Sequence, residues 1–188
     1  MGFVKTTLQD VYLYEPTVFG DHRGFFMETY NQKMFDEVGL SFNFIQDNHA
    51  MSAEAGTLRG LHYQLEPYAQ TKLVRVTKGA VYDVIVDIRK GSPTYGQWEG
   101  FILSEDNKRQ LLVPKGFAHG YCTLTKDTEF LYKVDNYYAP NHDRGMAWND
   151  PQLNINWPTN NPILSEKDKK QPLFKDLDCP FTYKSEEE

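Results

Sequence analysis

The sequence predicts a mostly β protein, a two-sheet jelly roll or closed barrel with a few short helices. Two observations carry this expectation. Aromatic and β-branched residues recur in short runs broken by Gly, Pro, Asn and Asp, the pattern of many strands joined by turns. Helix signals, by contrast, are sparse. A chain of 188 residues without a Ser- or Pro-rich linker suits one domain spanning 1–188 with a substantial core.

In chain order, the early strand candidates are residues 11–14, 24–30, Leu58–Gln64, 72–77 and 81–88. The later ones are 96–103, Gln110–Val113, 118–124 and 129–136. Within 81–88, Val81, Asp83, Ile85 and Asp87 alternate with Tyr82, Val84, Val86 and Ile88, so Asp83 and Asp87 share a face. Residues 31–38 suit a short helix with Asn31 near its start and Gly39 just beyond its end. Ser165-Glu-Lys-Asp168 has the form of a capped helical turn. The acidic tail, Lys184-Ser-Glu-Glu-Glu188, reads as solvated and disordered.

A formal charge of -6 argues against a nucleic-acid or membrane-surface partner, although a local cluster of cations can still hold an anionic ligand. Cys122 and Cys179 are far apart and lack Cys-x-x-Cys spacing, which indicates neither a disulfide framework nor a zinc site and fits reduced thiols in a cytosol. No apolar run has the form of a signal peptide or a bilayer span.

The most informative stretch is Gly56-Thr-Leu-Arg-Gly-Leu-His-Tyr-Gln64, followed by Lys72 and later by Pro114-Lys-Gly-Phe-Ala-His119. Small barrels that bind a metal through histidines usually carry His-x-His on the first of these segments. Here it reads His62-Tyr63-Gln64, one ligand short. A histidine without a metal is available as a Brønsted base, because its ordinary pKa lies close to neutral. Arg59, His62 and Lys72 place three cationic side chains on neighbouring strands, which a pocket for an anion explains better than a core does. Strict alternation sends Arg59 and His62 to opposite faces, so a bulge at Gly60 is needed to bring them together.

Other candidates read two ways. Val18-Phe-Gly-Asp-His-Arg-Gly-Phe-Phe26 is either a loop ordering Arg23 beside a diphosphate or an exposed turn. Gln46-Asp-Asn-His49 is either a polar loop or a cluster that reads the edge of a base. His119 is either a hairpin-corner imidazole bonded to backbone or a site residue. Tyr132 and Tyr138 are packing residues, or one donates a proton and the other stacks on a base. Asp168 fits equally as a capping carboxylate or as the orienting partner of a histidine.

Between about Leu8 and Cys179 these motifs, together with Asn-Lys-Arg-Gln, Phe-Leu-Tyr-Lys and Leu-Ser-Glu-Lys-Asp, closely resemble the dTDP-4-dehydrorhamnose 3,5-epimerase family. The resemblance implies a cupin-type jelly-roll barrel, a cytoplasmic homodimer, no metal and no dissociable cofactor. It also implies a dTDP-4-keto-6-deoxy sugar substrate, with His62 as general base, Asp168 as its partner, Tyr132 as general acid and Lys72 as enolate stabiliser. Arg23, Glu28, Gln46, Asn48, Arg59, His119, Asp143 and Lys167 match positions that hold the nucleotide-sugar, and Tyr138 matches the aromatic on thymine. Asp143 stands where many relatives have glutamate. Three rival readings are a single-carbon epimerase, a metal-dependent cupin oxygenase or isomerase using His62 and His119, and a non-catalytic sugar-nucleotide-binding module.

Overall fold

The structure is a computed structural model and describes residues 2–184. The tail residues 185–188 and Met1 lie outside the described residues. Early in the chain come β1 (Gly2–Lys5), β2 (Tyr12–Glu15), β3 (Val18–Asp21), β4 (Gly24–Met27), helix α1 (Gln32–Glu37), β5 (Gln46–Ser52) and β6 (Leu58–Gln64). They are followed by β7 (Lys72–Lys78), β8 (Ala80–Asp87), β9 (Trp98–Ser104), β10 (Gln110–Val113), β11 (Phe117–Thr123), β12 (Thr128–Val134) and β13 (Asp143–Gly145). No helix among the described residues is long and apolar enough to cross a membrane.

A six-stranded sheet, ordered β1-β2-β10-β7-β12-β5, faces a five-stranded sheet, ordered β13-β6-β11-β8-β9. Strands β3 and β4 form a separate hairpin. This is the predicted cupin-like two-sheet architecture. Inside it, Val74, Val76, Val81, Ile85, Leu103, Leu111 and Phe130 pack into one core. Each large side chain fully buried there contributes about 1.5–3 kcal/mol of transfer free energy.

Alternation along β8 sorts its residues between two cores. Val81 and Ile85 point into the barrel, while Val84, Val86 and Ile88 point outward beneath Trp157, Phe174 and Phe181 of the C-terminal segment. Asp83 and Asp87 lie on the inward face and are fully buried. Asp87 is satisfied by Arg89, whose Nε and Nη2 donate to its two oxygens at 3.0 and 2.8 Å, and by the hydroxyls of Ser92 and Thr94. A third core, on the outer face of the six-stranded sheet, joins Tyr14, Leu73 and Leu112 to Phe35 of α1. The Asn31 side chain accepts the Lys33 N–H as the helix's N-cap, as predicted.

Two stretches also read from sequence as loops are strands, although 24–30 within the second was already a strand candidate and begins as β4. Residues 46–49 belong to β5, the edge of the six-stranded sheet, and 18–26 form the β3–β4 hairpin. The hairpin has no buried face and β5 alternates polar groups on both faces, so neither shows an apolar period.

Candidate active site

Strand β6 supplies the first half of the site. His62 pairs with His119 and Arg59 with Tyr121, so Gly60 and Leu61 together stand opposite Gly120 alone. This bulge breaks the alternation, and Arg59 and His62 both reach the cavity while Leu61 turns to the outer core. Gly60 has φ +131°, and a Cβ there would stand 2.5 Å from Gly120 Cα. Only glycine fits this position.

The cavity, about 450 Å³, opens between the sheets. Arg59, His62 and His119 enter it from the five-stranded sheet, Lys72 and Tyr132 from the six-stranded sheet, and Lys167 and Asp168 from the C-terminal segment. Ala50, Leu58, Phe130, Ile163 and Leu164 supply apolar wall.

His62 Nε2 lies 2.5 Å from Asp168 Oδ1. Asp168 begins the short 3-10 turn Asp168–Lys170, where its own N–H donates to Ser165 Oγ at 3.1 Å. It thus orients the histidine, and the capping is done by Ser165. Burial pushes the Asp168 carboxyl up, but bonds from His62, Ser165 and the Gly60 N–H outweigh burial and hold it below the usual carboxylate value. An ionised Asp168 fixes the orientation of the imidazole.

The Lys72 ammonium makes no hydrogen bond or ion pair among the described residues. Burial pushes its ammonium down to about 8, against the opposing fields of Asp143 and Asp83. Tyr132 is pushed up by burial, partly offset by Arg59, so its phenol stays protonated. His119 is buried and bonds a side chain rather than backbone, its Nε2 lying 3.0 Å from each oxygen of Asp83.

At the rim, Asp143 accepts from Lys167 and, at 3.3 Å, from the Tyr138 hydroxyl. The shorter carboxylate therefore ties the β13 strand to the C-terminal segment. Asn48 stands directly opposite Tyr132 in the β5–β12 ladder, and Gln46 Nε2 donates to Asn48 Oδ1 at 2.9 Å. Both share with Ala50 the strand face that leads into the cavity.

Two sequence-predicted residues lie elsewhere. Arg23 is at the tip of the β3–β4 hairpin, its side chain 78 % exposed and bonded to Asp21. Glu28 is exposed beyond β4, near Asn31 Nδ2. Neither lines the cavity of its own chain. Conversely, Asp83, Tyr121 and Phe130 were not singled out for the site. Tyr121 stacks on Phe130 with ring centroids 4.0 Å apart, and burial pushes its phenol to about 12. A carboxylate at an inward position of the apolar β8 was the one available signal for Asp83. Among the described residues, no group of three or more His, Cys, Asp or Glu side chains is arranged to hold a metal ion.

Barrel and cavity together define a cupin-type enzyme equipped for proton transfer, with a carboxylate-oriented histidine on one wall and a lysine and a phenol on the other. Residues 5–176 match the dTDP-4-dehydrorhamnose 3,5-epimerase family, and the chain belongs to that family. It is 56% identical over 179 residues to a Shigella flexneri dTDP-4-dehydrorhamnose 3,5-epimerase, covering 95% of this chain and 98% of the relative. A crystal structure of the Bacillus anthracis enzyme with TDP and PPi bound superimposes with a TM-score of 0.90 at 58% identity, covering 92% of this chain and 98% of the other. The Legionella pneumophila enzyme in complex with dTDP-4-keto-L-rhamnose gives a TM-score of 0.93 at 44% identity, covering 98% and 99% of the two chains.

Proposed function

We propose that the protein inverts C3 and C5 of dTDP-4-dehydro-6-deoxy-D-glucose, giving dTDP-4-dehydro-L-rhamnose. The observation that carries this reading is the His62–Asp168 pair set across one cavity from Lys72 and Tyr132. In a 4-keto sugar, the hydrogens at C3 and C5 are both α to the carbonyl. His62 removes one, the electron pair moves to the C4 oxygen as an enolate, and the Lys72 ammonium stabilises that oxygen. Tyr132 then returns a proton to the same carbon from the opposite face of the ring. Solvent resets both groups. No hydride moves and the reaction is redox-neutral. The apolar wall lowers the local dielectric and strengthens the Lys72–enolate attraction.

Arg59, His119 and Lys167 are suited to hold the diphosphate and sugar oxygens, while Gln46, Asn48 and Tyr138 extend the site toward the base. A homodimer supplies the rest. Phe19, Phe25 and Phe26 expose 63, 58 and 67 % of their surface on the β3–β4 hairpin that carries Arg23, an apolar patch suited to burial against a second copy. A hairpin that crosses to the partner's cavity gives Arg23 and Glu28 their substrate contacts. The buried, unpaired Cys122 and Cys179 support a cytoplasmic location.

The test is NMR in deuterated water with dTDP-4-keto-6-deoxyglucose. Deuterium appears at both C3 and C5 and the L-rhamno sugar accumulates. Exchange at one carbon only refutes the double inversion; binding without exchange points to a non-catalytic module.

A further inference from the structure

We propose that Asp83 is a positioning residue, a buried carboxylate that holds His119 in place and keeps Lys72 charged for enolate formation; this rests on the enolate role given to Lys72 above. Asp83 is fully buried on the inward face of β8, and both its oxygens lie 3.0 Å from His119 Nε2. Equal distances from one N–H suit a delocalised carboxylate accepting as an anion. A lone carboxylate this deep is costly, and burial pushes its pKa up, opposed by His119 and Lys72. His119 and Lys72 are therefore the groups that offset its burial, and the charge of an ionised Asp83 acts back on both.

Asp143 and Asp83 are the two carboxylates whose fields act on Lys72, and Asp83 is the one bonded to no lysine or arginine. Asp143, on β13, already accepts from Lys167 and Tyr138. Asp168, on the C-terminal segment, is bonded to His62. Asp135, just beyond β12, accepts the Thr71 N–H at 2.7 Å and pairs with Lys115. The other groups facing the cavity from β6, β11 and β12, namely Arg59, His62, His119, Tyr121 and Tyr132, include no carboxylate. Removing the charge of Asp83 therefore leaves Asp143, already paired with Lys167, as the carboxylate acting on Lys72, whose ammonium becomes easier to deprotonate.

Asp83→Asn keeps the shape and an acceptor for His119 but removes the charge. Lysine labelled with 13C at Cε, with the Lys72 signal assigned through Lys72→Arg, gives its titration midpoint without reference to turnover. The expected result is a midpoint about one pH unit lower in Asp83→Asn, with the alkaline limb of kcat moved by the same amount. At pH 8 that displacement lowers turnover about five-fold, with a smaller loss at pH 6. An unmoved Lys72 midpoint, or a loss of kcat equal at all pH values, overturns the proposal. Where Asp83→Asn does not fold, Asp83→Ser asks the same question with a neutral hydroxyl facing His119. Absence of C3 and C5 exchange in the unaltered enzyme refutes the epimerase reading instead, and leaves the Lys72 midpoint to decide the electrostatic coupling on its own.

Discussion

Arg59 and His62 are three positions apart on one strand and both reach the same cavity, because Gly60 and Leu61 share a single partner residue in β11. The bulge is tightly bound to glycine. A methyl at position 60 meets Gly120 Cα at 2.5 Å and the His119 carbonyl oxygen at 2.9 Å, both backbone atoms that cannot rotate away. Gly60→Ala is expected to lose about 2–4 kcal/mol of stability in urea denaturation. Its folded fraction should turn over more slowly than wild type, since relief of the clash displaces His62 or His119. A stable, fully active variant would show that the bulge does not set the geometry.

The proposed base and acid enter from opposite sheets, and this separates their mutant phenotypes. His62→Ala removes the first step, so deuterium incorporation at C3 and C5 should fall together with turnover. Asp168→Asn leaves the base but loses the anion that fixes it, costing about 10²–10⁴ in kcat. Tyr132→Phe blocks return of the proton from the far face. Net epimerisation should collapse while His62 continues to exchange one hydrogen with solvent. Exchange and epimerisation falling in parallel in Tyr132→Phe would remove Tyr132 from the role of acid.

In the proposed mechanism Lys72 sets an alkaline limit. Its ammonium is pushed down to about 8 by burial, and the enolate needs the charged form. kcat is therefore full below that value and declines as pH rises through it. Lys72→Arg carries a charge that persists beyond pH 12, so its residual activity should lack the limb. Lys72→Met should lose activity at every pH. A limb retained in Lys72→Arg would assign the titration to another group.

Much of the barrel was legible because its strands are buried on one face or on both. Leu58–Gln64 and Gln110–Val113 are strands with the predicted bounds, and the prediction for 118–124 is shifted by one residue. What escaped lacked that signal. β1 is partly exposed, β3 is exposed at every position, and β13 is three residues long. The predicted strand at 96–103 starts instead at Trp98, since Gly96 adopts φ +73° in the turn before it. In the site, Gly60 between Arg59 and His62 marked the bulge. The Asp83–His119 contact did not show, because pairing between distant strands leaves no local pattern.

The buried Asp87–Arg89 pair predicts the behaviour of the fold in acid. Burial raises the Asp87 carboxyl, yet the bonds from Arg89, Ser92 and Thr94 prevail and hold it below the usual carboxylate value. A carboxylate depressed in the folded state contributes stability above its unfolded pKa and loses it as pH falls through the folded value. The free energy of unfolding should therefore decline below about pH 4. Asp87→Asn should cost about 3 kcal/mol at pH 7 while flattening that acid decline. Urea denaturation at pH 3, 4, 5 and 7 measures both. Equal pH slopes in the two proteins would show that other carboxylates govern acid unfolding.

The position of Arg23 yields a test of where its guanidinium works. It sits at the tip of an exposed aromatic hairpin, outside the cavity of its own chain. If it holds substrate, it does so in the cavity of a second protomer. Arg23→Ala should then weaken substrate binding, seen as a raised KM, and His62→Ala should abolish turnover in its own cavity. When the two variants are unfolded together and refolded as a mixture, half the dimers combine one chain of each kind. In such a dimer, the cavity with an intact His62 receives an intact Arg23 from its neighbour, and the other cavity has neither. About a quarter of all sites are then fully equipped, and at substrate concentrations well below the KM of Arg23→Ala the mixture should exceed the average of the two parents. A mixture that only averages them would place Arg23 in its own chain's site or outside catalysis altogether. Sedimentation of the unmixed protein fixes the dimer on which this arithmetic depends, and Phe26→Asp, which puts a charge into the hairpin patch, should shift it toward monomer and raise the KM as Arg23→Ala does.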